Sequence, residues 1–480
     1  MPVLTRRQAL QSLATAALPG GRRNLVFIVA DQHSGLALGA AGHPIVRTPR
    51  LDALARQGVH FTHAYCTGTT CAPSRASIQT GLHVHSHGVR ENGVPLPEDR
   101  PALLDILDQT GYKLNDVPRN NLYRLEPFYK HLAERGYTDV ASPIIGSRSK
   151  AGLIPTPYRY AVGRAGLDLE DSQDAFTIRN AIRFLDENKE QRFCLWVHLF
   201  GSHDPWVVPA PYDTMYRPVD LPVPPYRDGE YASKPAQQRR TWENTGASKL
   251  SDDHIRLILA HYFGMVSFTD MLVGRLLDKL SALRLDSNTA VVYMADHGDT
   301  MGHHRIFTKG FALYEPAMRI PLIMRSPGMP AGKRVETGVS GVDLLPTTLE
   351  LLDLPPRTGI QGRSLLPLWR GRKQSDPGLV FASQGFEGYD RLSMWRTPDW
   401  KLTRYDEGGG ELYDMRTDPH ELNNLFDDAR YASVRQRLSR QMEDWDRRSF
   451  HAPPRFPPGM KTDERERIQQ AFASWMRKKG

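Results

Sequence analysis

The hydrophobic residues of this chain fall into short unbroken runs separated by helical patterns. Four runs are almost wholly apolar: Leu25–Ala30, Phe193–Leu199, Ala290–Ala295 and Ile320–Met324. An unbroken run of this length is typical of a strand buried on both faces, as in a parallel sheet. Helical periodicity lies between the runs, at Arg50–Gln57, Ser172–Asn188, His254–Leu283 and Asp343–Leu352. Alternating strands and helices predict an α/β sandwich with a mostly parallel sheet.

The pattern changes after about residue 370. Short alternating pieces follow, and then a helical pattern: Leu392–Arg396, Trp400–Arg404, Glu411–Asp414 and a helix from about Asp428 to Arg447. Alternation with period two predicts antiparallel strands. We therefore predict a main domain over residues 23–370, a smaller C-terminal α+β domain with a short antiparallel sheet over 371–450, and a tail over 451–480.

Two long segments of the main domain have no clear period. Gly111–Leu169 and Pro205–Lys249 are rich in Pro, Tyr and Arg. Long loops inside a compact domain are commonly functional, so we predict that these segments border a ligand site. Plain surface insertion is the alternative.

Chemically capable side chains stand where three predicted strands end. Asp31 and Asp296 each follow an apolar run directly. His203 comes a few residues after the run that ends at Leu199. Open α/β sheets bind their ligands at the carboxyl ends of the strands. We therefore expect the fold to bring these three residues together.

The composition is ordinary for a globular protein: 480 residues, 40% hydrophobic and 24% charged. No apolar run approaches the roughly 20 residues that span a bilayer, so no integral membrane segment is predicted. The net charge of +8, from 62 Lys+Arg and 54 Asp+Glu, would favour anionic partners by steering, but over a chain of this length solubility is the simpler interpretation. No basic run with interleaved aromatic residues indicates a nucleic-acid groove, so no nucleic-acid partner is predicted. Three cysteines are too few for a disulfide framework.

The N-terminus carries a twin arginine before a mildly apolar stretch. Arg6-Arg7 precedes Ala- and Leu-rich sequence that ends at Leu18, and Ala14-Thr15-Ala16 offers a small-residue cleavage site. Residues 1–22 therefore resemble a short Tat export signal, which implies a periplasmic or secreted protein. The alternative is a disordered basic tail on a cytoplasmic protein.

The pentapeptide Cys71-Ala72-Pro73-Ser74-Arg75 carries the strongest functional signal. It resembles the signature of the type I, formylglycine-dependent sulfatases, which belong to the alkaline-phosphatase-like superfamily. Other segments resemble that family in the same order: Gly58–Cys66, Ala295–Asp299, Lys309-Gly310, Asp343–Thr347, Gln361–Leu365 and Glu411–Leu425. The resemblance implies a large alkaline-phosphatase-like α/β/α sandwich that hydrolyses a sulfate ester.

In that family a sulfatase-maturing enzyme oxidises the signature cysteine to formylglycine. The resemblance assigns this modification to Cys71 and implies the maturing enzyme as a partner. One hydroxyl of the aldehyde hydrate attacks sulfur, and the second later expels sulfate by collapse to the aldehyde. Without this chemistry, Cys71 would be a buried cysteine on a turn that leads into a helix.

The same resemblance implies one divalent cation. It assigns Asp31, Gln32, Asp296 and His297 as ligands, together with the modified side chain of Cys71. Oxygen-rich ligands fit a hard cation, and we expect Ca²⁺. Gln32 departs from the family, in which a second Asp is common here. It either binds through its amide oxygen, with one negative charge fewer, or supports the other ligands.

Three further residues complete the expected site. Arg75 lies one helical turn beyond Cys71 and is expected to stabilise the nucleophile. His203 resembles the histidine that contacts the sulfate and protonates the leaving oxygen. Lys309 resembles the lysine that binds sulfate and offsets charge in the transition state.

One departure concerns sulfate binding. The family usually has Gly-Lys-x-His shortly after the segment that resembles Gln109–Tyr112, whereas this chain reads Lys113–Arg119 without such a pair. Lys130-His131 is a Lys-His dipeptide, but its amphipathic surroundings predict a surface position. Either another residue compensates, or activity is weakened or lost.

Three further histidines alternate as if on a strand: His83, His85 and His87. Such spacing suggests a metal clip. They follow Thr80-Gly81-Leu82, where the family runs a loop past the signature helix, and we predict no zinc site.

These features together predict a sulfuric ester hydrolase that acts on a sulfated small molecule or glycan. A phosphodiesterase or phosphonate monoester hydrolase on the same scaffold is the enzymatic alternative, because the cation and the hydrate serve phosphorus as well. A non-catalytic relative that binds sulfated glycans is the alternative of another class. The missing Lys/His pair favours it, and retention of the other site residues opposes it. The sequence does not identify the substrate.

Overall fold

The fold is described from a computed structural model of the chain. It describes residues 23–115, 130, 134, 153–154, 160–309, 312–372 and 378–479. The export signal predicted at residues 1–22 lies outside the described residues, as do His131 and most of the predicted loop Gly111–Leu169.

The strands, in chain order, are β1 Asn24–Ala30, β2 Val59–Phe61, β3 Ala64–Tyr65, β4 Lys113–Leu114, β5 Leu153–Ile154, β6 Val162–Arg164, β7 Phe193–Leu199, β8 Trp206–Val208, β9 Thr289–Ala295, β10 Arg319–Ile320, β11 Leu322–Arg325, β12 Lys333–Val335, β13 Val339–Ser340, β14 Val380–Gln384, β15 Leu392–Arg396, β16 Trp400–Tyr405 and β17 Gly410–Asp414. The α-helices are Pro49–Gln57, Cys71–Thr80, Val84–His87, Leu103–Gln109, Gln173–Asn188, Ala236–Asn244, Asp252–Ala282, Glu315–Met318, Leu344–Leu351, Leu366–Trp369, Ala432–Arg448 and Thr462–Lys479.

A mostly parallel sheet forms the centre of the fold. In the described residues it has seven strands, in the order β12-β2-β11-β9-β1-β7-β4. β1 lies between β7 and β9 and is parallel to both, whereas β11 is antiparallel to both of its neighbours. Every residue of β1, β7 and β9 is buried. Burial on both faces explains why these strands read as unbroken apolar runs.

Helices cover both faces of this sheet. Leu25, Phe27 and Val29 of β1 belong to a core that includes the helices Leu103–Gln109 and Leu344–Leu351. The alternate residues of β1 belong to a second core, which includes Gln173–Asn188 and Asp252–Ala282. Successive side chains of a strand point to opposite faces, so the two cores lie on opposite sides of the sheet. The predicted α/β/α sandwich is confirmed.

The predicted strand Ile320–Met324 is two strands. Pro321 separates β10, which pairs with β3 in a small sheet, from β11, which belongs to the main sheet. Proline has no N–H to donate and is therefore disfavoured inside a central strand. The strand-like alternation of His83, His85 and His87 is also misleading, because Val84–His87 is a short helix.

The antiparallel sheet expected near the C-terminus is present, with the order β14-β15-β16-β17. β15 has the predicted bounds, whereas β14 was not predicted. Phe381, Trp395 and Leu402 pack against the helix Ala432–Arg448. Alternate residues of the same strands join the core of the main sheet. This sheet is therefore buried on both faces.

Among the described residues, one helix is long and apolar enough to cross a membrane by length and composition. It is Asp252–Ala282, and 89% of its most apolar window is buried inside the fold. Its side chains contribute to two of the hydrophobic cores, so packing against the rest of the chain accounts for its composition.

Candidate active site

Three segments converge at the carboxyl end of the main sheet. Asp31 follows β1, Asp296 follows β9, and Cys71 is the first residue of the buried helix Cys71–Thr80. Cys71 Sγ lies 3.7 Å from Asp31 Oδ1 and 3.2 Å from His297 Nε2. These residues are far apart in sequence, and the parallel strand order brings them together.

Arg75 links the two aspartates. Its guanidinium is buried, with Nε donating to Asp296 Oδ2 and Nη2 donating to Asp31 Oδ2, both at 2.8 Å. Burial alone would raise the pKa of Asp31. The positive charges of His203, Arg75 and the nearby Lys309 and His297 outweigh burial and hold that pKa well below its usual range. Arg75 is therefore a buried residue of the site rather than part of a surface salt bridge.

The loop after β7 carries His203 to the same place. Asp174 accepts hydrogen bonds from the backbone N–H groups of Phe200 and Gly201 at 2.7 and 2.9 Å. Gly201 has a φ of 63°, and a Cβ there would lie 2.8 Å from the Asp31 carbonyl oxygen. Only glycine allows this loop to approach β1 so closely.

Lys309 stands between His203 and Cys71. Its Nζ lies 2.8 Å from His203 Nε2 and 3.3 Å from Cys71 Sγ. Burial and Lys309 both oppose protonation of His203, but Asp31, Cys71 and Asp204 outweigh them and raise its pKa to about 9. The Lys309 ammonium and the His203 ring therefore face the space beside Cys71, an arrangement that suits an anionic ligand.

The surroundings of Cys71 favour a negative charge on it. Burial and Asp31 raise the pKa of the thiol, but Lys309 and His297 outweigh them and lower it to about 6. The buried Cys66 thiol shows the contrast. Desolvation raises its pKa far above the ordinary value.

The donor atoms fit a hard divalent cation. Asp31, Cys71, Asp296 and His297 each offer one ligand atom, and these atoms all lie within 4.8 Å of one another. His297 Nδ1 contacts the Gly298 carbonyl oxygen at 2.9 Å, so it carries the proton and leaves the Nε2 lone pair directed at the site.

Gln32 lies in the same pocket. Its Nε2 donates to Asp299 Oδ2 at 2.7 Å and to Asp204 Oδ1 at 3.3 Å. Its Oε1 is buried and, among the described residues, has no hydrogen-bond partner. An unpartnered buried amide oxygen is costly unless a ligand satisfies it. Gln32 also has a φ of 60°, and Tyr262 donates a hydrogen bond to its carbonyl oxygen at 3.0 Å.

Sequence reasoning gave no role to several residues of the site. Asp204 and Asp299 orient the Gln32 amide, and Asn92 Oδ1 accepts the Ala72 N–H at 2.9 Å beside Cys71. Asp299 ends the family-like segment Ala295–Asp299, so the sequence does mark its position. Asn92 lies in a loop with no motif, and only the fold reveals it.

The segment that lacks the Lys/His pair is described only in part. Its described residues lie apart from the site. Lys113 is an exposed residue of the edge strand β4, and residues 116–119 lie outside the described residues. The side chain of Lys130 is 80% exposed and lies 4.0 Å from Glu134, as its predicted surface position requires.

A cavity of about 780 Å³ opens beside His203 and Lys309. The helix Ala236–Asn244, from the predicted loop Pro205–Lys249, forms part of its wall. Further wall residues come from the loop before Cys71, the turn at Glu91-Asn92, the end of β14, and Tyr160. The prediction that this loop borders a ligand site therefore agrees with the geometry.

An α/β/α sandwich with carboxylates, a histidine and an anion-favouring residue at its strand ends defines a hydrolase of the alkaline-phosphatase-like superfamily. The chain belongs to the sulfatase family, whose model, described as Sulfatase, matches residues 23–354. A second model, described as N-sulphoglucosamine sulphohydrolase, C-terminal, matches residues 302–448. The protein is thus a sulfatase enzyme, as the Cys71–Arg75 signature indicated.

Individual relatives span nearly the whole chain. The uncharacterized sulfatase YidJ of Escherichia coli is 29% identical over 442 residues, covering 88% of this chain and 87% of its own. An N-acetylglucosamine-6-O-sulfatase of Bacteroides thetaiotaomicron is 25% identical, covering 91% and 89%. The solved structure of the phosphonate monoester hydrolase SpPMH from Silicibacter pomeroyi superposes with a TM-score of 0.79 at 27% identity, covering 90% and 96%.

Proposed function

We propose that this sulfatase cleaves a sulfate ester of a small molecule or glycan through the hydrate of a formylglycine formed from Cys71. The observation that carries the proposal is the position of Cys71 Sγ, 3.3 Å from Lys309 Nζ and 3.2 Å from His297 Nε2. In the hydrate, an oxygen takes the place of Sγ. The charges that lower the thiol pKa then favour an oxyanion nucleophile.

The hydrate accounts for both halves of the reaction. One hydroxyl oxygen attacks sulfur, and the bond between sulfur and the ester oxygen breaks, so the alcohol leaves. The second hydroxyl then loses its proton and forms the aldehyde C=O as the C–O bond to sulfate breaks. No water molecule attacks the sulfated intermediate, and hydration of the aldehyde restores the nucleophile.

His203 and Lys309 act on the negative charge that develops on the leaving oxygen and on the sulfate oxygens. His203, which borders the cavity and lies 2.8 Å from Lys309, is assigned the transfer of a proton to the leaving oxygen. Lys309 offsets negative charge on the sulfate oxygens. The cavity beside both residues receives the leaving group.

One divalent cation, expected to be Ca²⁺, would be held by Asp31, Asp296, His297, the modified side chain of Cys71 and the amide oxygen of Gln32. When bound, it supplies positive charge that polarises a sulfate oxygen. Arg75 holds both aspartates in place, and Asp299 with Asp204 turns the Gln32 amide so that its oxygen remains available.

A second candidate is hydrolysis of a phosphonate monoester or phosphodiester. It is favoured by the likeness to SpPMH. Sulfate monoesters and these phosphorus esters share a tetrahedral centre and a single negative charge, so one nucleophile and one cation serve both. Binding of a sulfated glycan without turnover is less well supported, because the complete set from Asp31 to Lys309 is retained.

The proposal extends to maturation and location. A sulfatase-maturing enzyme is required as a partner to oxidise Cys71. Residues 1–22 would direct Tat export of the folded protein to the periplasm or beyond, after that oxidation.

The test is to produce the protein with and without a sulfatase-maturing enzyme. The tryptic peptide Gln57–Arg75 contains both Cys66 and Cys71. Conversion of Cys71 should lower its mass by ~18 Da and leave Cys66 open to alkylation, since the aldehyde replaces the nucleophile precursor. Aryl sulfate, sulfated sugars, an aryl phosphodiester and an aryl phosphonate are then assayed, with Cys71→Ala as the inactive control. Active preparations that contain only the free thiol would overturn the assigned nucleophile.

A further inference from the structure

The segment that carries Lys309 to the site has an unusual backbone. Residues 300–308, called the lysine loop here, connect Asp299 to Lys309. Among the described residues, eight residues other than glycine have a positive φ, and four of them lie in this loop: Met301, His304, Arg305 and Thr308. Residues with a Cβ rarely adopt this left-handed region. Their concentration in one loop indicates a shape that the surrounding contacts impose.

Thr308 is the least favourable of these four residues. Its φ is 66°, and its side chain is branched at Cβ, which makes a left-handed backbone a genuine outlier. It directly precedes Lys309, so a relaxed backbone at Thr308 would turn the peptide that leads into the lysine. Lys309 Nζ would then lose its positions 2.8 Å from His203 Nε2 and 3.3 Å from Cys71 Sγ. The strained residue is thus the one that sets the direction of Lys309.

Thr300 holds the two ends of the lysine loop together. Its backbone N–H donates to the Thr308 carbonyl oxygen at 2.8 Å. Its hydroxyl lies 2.8 Å from the same oxygen and 2.7 Å from the Ile306 carbonyl oxygen, and it shares its one proton between these acceptors. Thr300 is fully buried. Removal of the hydroxyl would therefore take a bond from each carbonyl oxygen without giving water access in its place.

The far end of the lysine loop is anchored by other residues. Tyr231 donates a hydrogen bond to the His304 carbonyl oxygen at 2.8 Å, and Arg305 Nη2 donates to Asp252 Oδ1 at 2.7 Å. These contacts do not depend on the Thr300 hydroxyl. We therefore expect the loop to stay folded without that hydroxyl, with the change confined to Thr308 and the lysine beside it.

We infer that Thr300 is a positioning residue for the hydrolysis. Its hydroxyl keeps Thr308 in the left-handed conformation and so holds Lys309 Nζ beside Cys71. Thr300 acts through the lysine and not on the substrate, because its side chain is fully buried. It lies between the family-like segments Ala295–Asp299 and Lys309-Gly310, outside both. The inference rests on the proposed function and adds a residue to its machinery.

The experiment measures single-turnover rates of the matured protein on 4-nitrophenyl sulfate, or on the fastest of the other esters proposed above. Thr300→Val keeps the shape of the side chain and removes the hydroxyl. We expect the rate to fall about 10- to 100-fold, because a displacement of about 1 Å at a positioned group has an effect of this size. Thr300→Ser keeps the hydroxyl and should retain the wild-type rate.

Thr347→Val is the matched control for the loss of a buried threonine hydroxyl. Thr347 is also fully buried, and its hydroxyl donates to the Asp343 carbonyl oxygen at 2.6 Å. It lies in the helix Leu344–Leu351, which carries no residue of the proposed site. This variant should therefore retain the wild-type rate, although its Tm falls. A loss of rate in Thr347→Val equal to that in Thr300→Val would make the effect one of stability and overturn the inference.

A double-mutant cycle with Lys309→Ala separates positioning from a structural role. If Thr300 acts through the lysine, Thr300→Val should lower the rate by less than about twofold once the lysine is absent. An equal fall in both backgrounds, or an unchanged rate in Thr300→Val alone, would show the inference to be wrong while the hydrolase function stands. If Thr300→Val does not fold, Thr300→Ala carries the same cycle. If the wild type cleaves none of the esters, the proposed function fails and the inference fails with it.

Discussion

Among the described residues, two groups of buried histidines have pKa values shifted in opposite directions. In the active site, carboxylates outweigh burial and raise the pKa values of His203 and His297. The second cluster, called the distal cluster here, consists of His83, His85 and His451. Burial lowers the pKa of His83 to about 3 and that of His85 well below its usual value.

The two clusters differ in their neighbours rather than in their burial. The His83 ring packs 4.9 Å from Trp445 and 5.6 Å from Phe381, and the His85 ring stacks 4.4 Å from that of His451. His85 Nδ1 and Nε2 have no hydrogen-bond partner among the described residues. Packing against aromatic rings lowers the pKa values of His83 and His85, whereas nearby carboxylates raise those of His203 and His297.

Both clusters place potential metal-ligand atoms close together, so distance alone does not identify the metal site. His85, Asp446 and His451 also place their ligand atoms within 4.8 Å of one another. The Asp446 carboxylate is already paired with Arg391 at 3.2 Å, whereas in the active site two aspartates share one arginine. The active site therefore has the negative charge that a divalent cation requires.

The largest expected effect concerns metal removal. Chelation should abolish turnover, and Ca²⁺ should restore it better than Zn²⁺, because the proposed ligands are mainly oxygens. Metal analysis should give about one ion per chain, as expected for a single oxygen-rich site. His85→Gln should leave that stoichiometry unchanged, whereas Asp296→Asn should lower it. Loss of bound metal in His85→Gln would place the ion in the distal cluster.

The next effect concerns the cationic side chains beside Cys71. If His203 and Lys309 carry the sulfate contacts without the family's usual Lys/His pair, His203→Ala and Lys309→Ala should each lower kcat roughly 10²–10³-fold, equivalent to ~2.7–4 kcal/mol of barrier. Single-turnover kinetics on the matured protein would measure this. Lys130→Ala, at an exposed position, is the control. A comparable loss at Lys130 or His131 would mean that the loop supplies the missing pair.

The sequence predicts those strands and helices whose buried side chains recur at a regular spacing along the chain. β1, β7 and β9 read as unbroken apolar runs because both of their faces are covered, and Asp31 and Asp296 follow from where those runs end. The family resemblance added Gln32, Cys71 and His297, which no periodicity marks.

The remaining features depend on contacts between distant segments. Pro321 splits one apolar run between two sheets, and β14 pairs with β15 in the C-terminal sheet. The alternation of His83 and His85 was misleading, because apolar rings from the C-terminal sheet and helix decide their surroundings. The helix Ala236–Asn244, which borders the cavity, lies in a segment whose sequence has no clear period.

A smaller effect is expected at Gln32. Gln32→Asp adds a negative charge to the proposed ligand set, and Gln32→Asn is its neutral control of equal length. We expect the Asp variant to bind Ca²⁺ about tenfold more tightly than the Asn variant, since one more carboxylate faces the cation. Calorimetric titration of the metal-free proteins would measure it. Equal affinities would place Gln32 outside the ligand set.

The smallest effect concerns the distal cluster. His83 has a folded-state pKa of about 3, below the ordinary 6.5, so the unfolded chain binds a proton that the folded chain does not. Stability contributed by neutral His83 is therefore present above the unfolded pKa and is lost as the pH falls. Between pH 7.5 and 5.5 this loss amounts to about 1.4 kcal/mol.

His83→Phe keeps the aromatic packing and removes the titrating group. The fall in Tm between these two pH values should therefore be smaller in the variant than in the wild type, by about 1–2 °C for a chain of this size. Comparing the two pH values within each protein cancels any change in packing that the substitution itself causes. His420→Phe, at an exposed position, should leave the fall unchanged. An equal fall in wild type and His83→Phe would show that His83 is already charged in the folded protein, and the contrast between the two clusters would then be wrong.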